Sequence, residues 1–157
     1  MFKFALLIQT TSAASANVVD LEVRSNNDYT GPLFIGSEWA EARVIYDTMS
    51  DDTIILSEDS KNAIISGNYQ QSVSNTSSPI MNMTMEQLAS VNLGSYQFIG
   101  KKYRDNMCLS QHTNGRTLDT GKMCTTNMPF VLAEEVIGEF TANGVLGLAP
   151  SKEGYVD

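Results

Sequence analysis

The residues best suited to chemistry are Asp47, Thr48 and Ser50, within Val44-Ile45-Tyr46-Asp47-Thr48-Met49-Ser50. An apolar strand there delivers a carboxylate to a turn of small polar residues. Neighbouring Thr and Ser hydroxyls hold such a carboxylate in a fixed orientation through local hydrogen bonds. A carboxylate held that way can serve as a general base toward water. Taken alone, an Asp-Thr pair reads more simply as an Asx cap that starts a turn.

Other chemistry finds less support. His112, the single histidine, follows Ser110 in a polar stretch with no orienting acid beside it. Cys108, His112 and Cys124 make three metal ligands, but their spacing matches no zinc pattern and a fourth ligand is lacking. Asp51-Asp52, Glu58-Asp59 and Glu134-Glu135 lack the clustering of a calcium loop and read as solvated surface. Gly144-Val145-Leu146-Gly147 has neither the lysine nor the helix start of a phosphate loop. No metal and no cofactor is implied. Met81, Met83 and Met85 alternate like one face of a strand and are expected to fill core.

The elements that position Asp47 are short. Val18–Val23, Leu33–Ile35, Arg43–Tyr46 and Thr53–Leu56 read as strands, with Ser25–Asp28 a turn and Ala63–Ile65 a further apolar run. Asn68–Thr84 is rich in Ser, Asn, Gln and Thr and is expected to be a long surface connection. Met85–Val91 reads as one short helix, with Thr84 as cap and Gln87 three residues later. Ser95–Tyr103, Asn106–Leu109, Phe130–Ala133 and Val145–Leu148 are further strands. No sustained helical period appears, so the expected fold class is mainly β.

Ordered context surrounds the aspartate. Tyr29-x-Gly31 and Ile35-Gly36 precede it, ten residues separate Gly36 from Asp47, and Asn143-Gly144-Val145-Leu146-Gly147-Leu148-Ala149 lies far downstream. This order resembles the N-terminal lobe of pepsin-like aspartic endopeptidases, over roughly Tyr29 to Pro150. There the pattern runs Tyr-x-Gly, Ile-Gly, ten residues, Asp-Thr-Gly-Ser, and later Asp-Gly-Ile-Leu-Gly-Leu-Ala. The resemblance implies a single β-lobe, half of a bilobal acid protease fold, with an extended peptide bound between lobes. Each lobe supplies one Asp, and the two share a proton because adjacent like charges do not both ionise. It implies that Asp47 is the first-lobe aspartate, that Thr48 contacts the other lobe and that Ser50 hydrogen-bonds the Asp47 carboxylate.

The chain departs from that pattern at three places. Met49 stands where the family has Gly, and its side chain needs room that a tight turn and a close second lobe do not leave. The family's flap tyrosine has Tyr96, in Leu93-Gly94-Ser95-Tyr96, as its nearest counterpart; a half-buried strand tyrosine is the plainer reading. No second aspartate motif follows in a suitable setting. Asp119-Thr120-Gly121 spells the motif, but Lys122 follows it and only Leu118 precedes it as an apolar residue. It reads as the tip of a loop between Cys108 and Cys124. These departures argue against hydrolysis by this chain alone; the alternative to an incomplete peptidase is a non-catalytic, peptide-binding homologue. The implied partners are an extended peptide or protein and either a missing second lobe or a homodimer partner.

Composition agrees with a globular domain. The 157 residues are 42% hydrophobic and 18% charged, enough for one buried core. A net charge of -8 argues against nucleic acid and against an anionic membrane surface. Residues 1–16 read as a secretory signal: Met1-Phe2-Lys3, the apolar run Phe4–Ile8, and a small-residue site at Ala14-Ser15-Ala16. A buried strand is the alternative. No other segment is long and apolar enough to span a bilayer. Residues 17–157 then form the lobe, in a secreted or endomembrane lumen. The acceptor triplets at Asn75 and Asn82 point the same way. Cys108 and Cys124 suit one disulfide in an oxidising compartment, with two reduced buried thiols as the alternative. The ending at Tyr155-Val156-Asp157, without a closing element, reads as a truncation.

Overall fold

The computed structural model of the chain describes residues 19–24, 28–65, 69–82, 85–109 and 123–150. Residues 1–16, expected to be a signal, and His112 and Asp119-Thr120-Gly121 lie outside them. Among the described residues there are eleven strands and no helix. In chain order they are β1 Glu22–Val23, β2 Tyr29–Ile35, β3 Ala40–Asp47, β4 Ile54–Lys61, β5 Ser78–Pro79 and β6 Met81–Asn82. Then follow β7 Met85–Glu86, β8 Leu88–Leu93, β9 Tyr96–Cys108, β10 Cys124–Ile137 and β11 Gly144–Gly147. The chain is mainly β, as its sequence predicts.

The main sheet runs β1-β2-β3-β11-β4-β10-β9, with β5 and β8 both on β9. The end of β2 also pairs with the end of β9, Phe34 opposite Cys108 and Ile35 opposite Met107, so the sheet closes on itself. It is mixed: β11 is parallel to β3 and antiparallel to β4, while β4 is parallel to β10.

Short continuous apolar runs, rather than alternating ones, mark the central strands because both of their faces are covered. Side chains of Ile55, Leu132, Leu146 and Val44 enter one apolar cluster with Leu33 and Ile35. Their immediate neighbours Ile54, Leu56, Val131 and Val145 enter a second with Phe98 and Phe140. Each fully buried aliphatic side chain contributes about 1.5–3 kcal/mol relative to exposure. Two clusters, one on each side of the same strands, are therefore the main source of stability.

The register of β11 depends on glycine. A Cβ at Gly144 would sit 2.1 Å from the Ile54 carbonyl oxygen, and one at Gly147 2.6 Å from that of Asp52. Gly100 meets the Leu132 carbonyl in the same way, at 1.9 Å. Backbone cannot yield as a flexible side chain would.

Several expectations are corrected. Residues Met85–Val91 form β7 and part of β8 rather than a helix. The edge of β9 captures them: Leu88 pairs with Lys101 and Leu93 with Tyr96. Ala89, Val91 and Leu93 then pack on the second cluster, a period of two that a helix would scramble. Gln87 caps nothing; its N–H donates to Ile80 O and its carbonyl accepts from Lys102 N–H. Asn106–Leu109 is no separate strand, since β9 continues unbroken to Cys108. Met81 is exposed on its two-residue strand, so it fills no core there.

The polar connection is also more than surface. Tyr69 is buried in the first cluster and bridges to Ser57 in β4. Its hydroxyl donates to the fully buried carboxylate of Asp105. The same carboxylate accepts from Thr76 Oγ1 and, at 2.8 Å, from Asn106 N–H. Three donors are what a buried carboxylate requires. They pin the 69–77 segment to β9. Burial, followed by the bond to Asp105, raises the Tyr69 hydroxyl above the ordinary tyrosine value. Burial raises Tyr46 and Tyr103 as well.

These contacts set the outcomes expected of three substitutions and of a pH series. Gly144→Ala is expected to lose about 1–3 kcal/mol in urea unfolding, as overpacking against backbone does. Gly94→Asn, at an exposed turn whose positive φ asparagine tolerates, should change stability by less than about 0.5 kcal/mol. Tyr69→Phe leaves a buried charge short of one donor and is expected to cost about 1.5–3 kcal/mol. The native chain keeps its tyrosine protons where the unfolded chain sheds them. Stability should therefore fall as pH rises above about 10, and fall less steeply in Tyr69→Phe.

Candidate functional site

Asp47 is the last residue of β3, level with Gly147 of β11 across a parallel pair. The turn after it is tied down from the same side. Leu148 N–H donates to Asp47 O at 2.8 Å, and Ala149 N–H to Ser50 O at 3.0 Å. The downstream Val145-Leu146-Gly147-Leu148-Ala149 stretch thus lies against the aspartate turn, with Gly147 permitting the contact.

The other sequence motifs brace the same strand. Asn143 Oδ1 accepts from Arg43 N–H at 3.0 Å, Asn143 N–H donates to Arg43 O, and its carbonyl accepts from Leu56 N–H. This asparagine knits β3 to β4. Gly31 makes room for Tyr46, since a Cβ there would lie 3.0 Å from its ring. The Tyr46 hydroxyl donates to Pro32 O at 2.7 Å, which fixes the residue just before Asp47. Gly36 sits at φ +82 where β2 ends, in the left-handed region that glycine enters freely.

Within the turn, Asp47 Oδ1 accepts from Met49 N–H at 2.8 Å, the geometry of an Asx turn. Ser50 is buried, and its Oγ accepts from Asp52 N–H at 3.1 Å rather than bonding the Asp47 carboxylate. Thr48 is exposed. Met49 is 89% exposed and has no left-handed φ, so the turn forms without glycine and the thioether projects into solvent. Within this chain the methionine obstructs nothing.

Opposite the turn stands the β8–β9 hairpin, closed by Gly94-Ser95 with Gly94 at φ +58. Its tip and the turn line one cavity of about 440 Å³. Asp47, Thr48, Met49 and Ser50 of the turn line it together with Asn92, Leu93, Gly94 and Tyr96 of the hairpin. Ile45, Tyr46, Phe140, Val145, Asp28 and Tyr29 complete the lining. Tyr96 is half-buried, its ring edge-on to Phe140 at 5.2 Å between centroids. It is a packed strand tyrosine and a cavity wall together.

Sequence reasoning named Asp47, Thr48, Ser50 and Tyr96, and the fold brings all four to this cavity. It missed Asp28, Tyr29, Asn92 and Phe140, whose membership depends on how the sheet curls. Asp28 and Asp47 are the two carboxylates that line it. One ionised carboxylate suffices to orient and deprotonate water, but polarising an amide carbonyl needs an acid as well.

Elsewhere, Cys108 at the end of β9 and Cys124 at the start of β10 face each other and are joined by a disulfide with S–S of 2.01 Å, in place of the two reduced thiols. Among the described residues no group of three His, Cys, Asp or Glu side chains is placed to hold a metal. Asn75 is exposed, with its backbone N–H on Ser37 Oγ at 3.0 Å, and Asn82 lies in β6. Among the described residues no helix is long and apolar enough to cross a membrane. No family profile matches this chain, and no curated protein matches its sequence.

Proposed function

We propose that this chain supplies one half of an aspartic-type peptidase site, in a pepsin-like N-terminal lobe. In this reading it engages an extended peptide between the Asp47 turn and the β8–β9 hairpin. The observation that carries the reading is the shared cavity: a carboxylate at a strand end faces the tip of a hairpin about fifty residues away in sequence. An extended peptide laid between them would meet Asp47 on one side and the hairpin on the other. Asp47 would act as the base toward water, and a second carboxylate, from another lobe or a second copy, would carry the shared proton. Export to an oxidising lumen fits the disulfide and the two acceptor asparagines.

A second reading, a peptide-binding homologue without hydrolysis, draws support from Met49. Its exposed side chain stands on the face where a second carboxylate would have to approach.

The two readings share peptide binding and divide on turnover. The test incubates the full chain at acid pH with an unfolded protein, with and without a peptide inhibitor carrying a tetrahedral hydroxyl at its central bond. The chain alone is expected to bind the inhibitor without cleaving the protein. Asp47→Asn should weaken that binding about tenfold, as loss of a charge-assisted hydrogen bond does. Inhibitor-sensitive cleavage by the chain alone, abolished in Asp47→Asn, would show a complete site and refute the half-site. If the inhibitor does not bind, the peptide site itself is wrong.

A further inference from the structure

We infer that the outer edge of β8 pairs with β8 of a second copy of this chain, antiparallel and centred on Ser90. The pairing uses the outer side of the hairpin and does not depend on how the Asp47 turn is read. Its starting point is the direction of the backbone groups. Lys102 N–H donates to Gln87 O at 2.8 Å, and the next residues in register are Leu88 and Lys101. Hydrogen-bonded and non-bonded pairs alternate along an antiparallel ladder. Ala89, Val91 and Leu93 therefore turn their N–H and C=O groups to β9, as the two-residue turn after Leu93 also requires. Leu88, Ser90 and Asn92 direct theirs outward. Among the described residues β8 pairs with β9 alone, and these three make no other backbone bond.

Soluble proteins blunt such an edge with charge, proline, a bulge or a short strand. Leu88–Leu93 has no charged residue and no proline, and its register with β9 is unbroken. The other edge strands of the main sheet, β1 and β5, have two residues each, whereas β8 has six. On the solvent face Leu88 is 79% exposed. Ile99, opposite Ser90, and Ile137, opposite Gln97, are exposed as well, so apolar surface runs inward from the edge across β9 and β10.

The strand suits its own copy. With Ser90 on a two-fold axis, Ser90 meets Ser90. Leu88 and Asn92 then exchange backbone bonds with Asn92 and Leu88 of the second copy. Between them Ala89 faces Val91 of the second copy, small against large, at the close spacing of a non-bonded pair. Ala89, Val91 and Leu93 already pack on the second apolar cluster, which the added strand would extend. Charge permits the same occupant. The chain carries a net charge of -8, so two copies repel over most of their surface. At this edge no like charges meet. Glu86, the nearest carboxylate along the chain, is held by Lys101 at 2.8 Å and would fall level with the uncharged Gly94 turn of the second copy.

The test follows the full chain by sedimentation equilibrium from about 5 to about 500 µM. Pairing one six-residue strand makes a small interface, so half-dimerisation is expected on the order of 10–100 µM. Leu88→Lys alters an exposed side chain, and Ser90→Pro removes an outward N–H but no bond to β9. Each, checked for native unfolding behaviour, should weaken the dimer at least about tenfold. Ser90→Cys should cross-link to its own copy under mild oxidation several-fold faster than Leu88→Cys, because only the residue on the axis meets itself. A chain that stays monomeric throughout would overturn the proposal. So would a dimer that Leu88→Lys and Ser90→Pro both leave intact, since its contact would lie on another surface. Equal cross-linking of the two cysteine variants would overturn the register centred on Ser90. A monomer whose Leu88, Ser90 and Asn92 amides resist hydrogen exchange would show the edge covered by the chain's own segment, and would overturn the pairing of copies.

Discussion

The insertion of β11 between β3 and β4 is the constraint on which the remaining geometry depends. Four residues, Gly144–Gly147, pair parallel with one strand and antiparallel with the other. Glycine at both ends lets the backbones approach closer than any Cβ would allow. This wedge sets where β3 stops, because Gly147 is level with Asp47 and the next two N–H groups donate into the turn. The conformation of Asp47–Ser50 is therefore fixed by residues a hundred positions downstream as much as by its own Asx turn. A reactive carboxylate needs that kind of support, since local hydrogen bonds alone leave a surface turn free to fray.

Much of this architecture was legible. Ile54-Ile55-Leu56, Phe130–Ala133 and Val145-Leu146 read as strands because they are sandwiched between two apolar clusters and carry no polar face. The glycine and asparagine motifs were legible too, and each now has a steric or hydrogen-bonding cause. What sequence misread was non-local. Met85-Glu86-Gln87-Leu88-Ala89 contains good helix formers, and only the waiting edge of β9 turns it into strand. Ser95–Tyr103 and Asn106–Leu109 read as two strands, where the structure has the single β9. Its basic residues are tolerated because Lys102 and Arg104 face solvent while Lys101 bridges two glutamates.

Buried polarity was the hardest feature to foresee. Nothing near Asp105 marks it as interior, and Tyr69 sits in a stretch whose composition says surface. The two are joined because Asp105 lies on an inward position of β9 where the 69–77 segment crosses it, and a buried carboxylate demands donors. The connection is thereby fastened to the sheet through polar groups, where apolar contacts would have been the default. Gly36 belongs to the same arrangement: a Cβ there would press on Ser74 and approach Asp105. The Ile-Gly motif thus serves this polar junction as well as the end of β2.

Met49 shows how the structure changes the chemical argument. From sequence it looked like an obstruction, because glycine at that position suggests a turn that needs it. The turn needs no left-handed residue, and the side chain stays exposed where Met49 helps to line the cavity. Its effect falls on whatever would dock against the turn rather than on the turn itself. Recognition and hydrolysis then separate physically. In the proposed reading, recognition of a peptide draws on a cavity lined by this one chain. Hydrolysis by a proton-sharing pair needs a second carboxylate brought against Asp47, past an exposed thioether. Selection on binding and selection on cleavage would act on different residues: the hairpin and rim for the first, Met49 and its facing surface for the second.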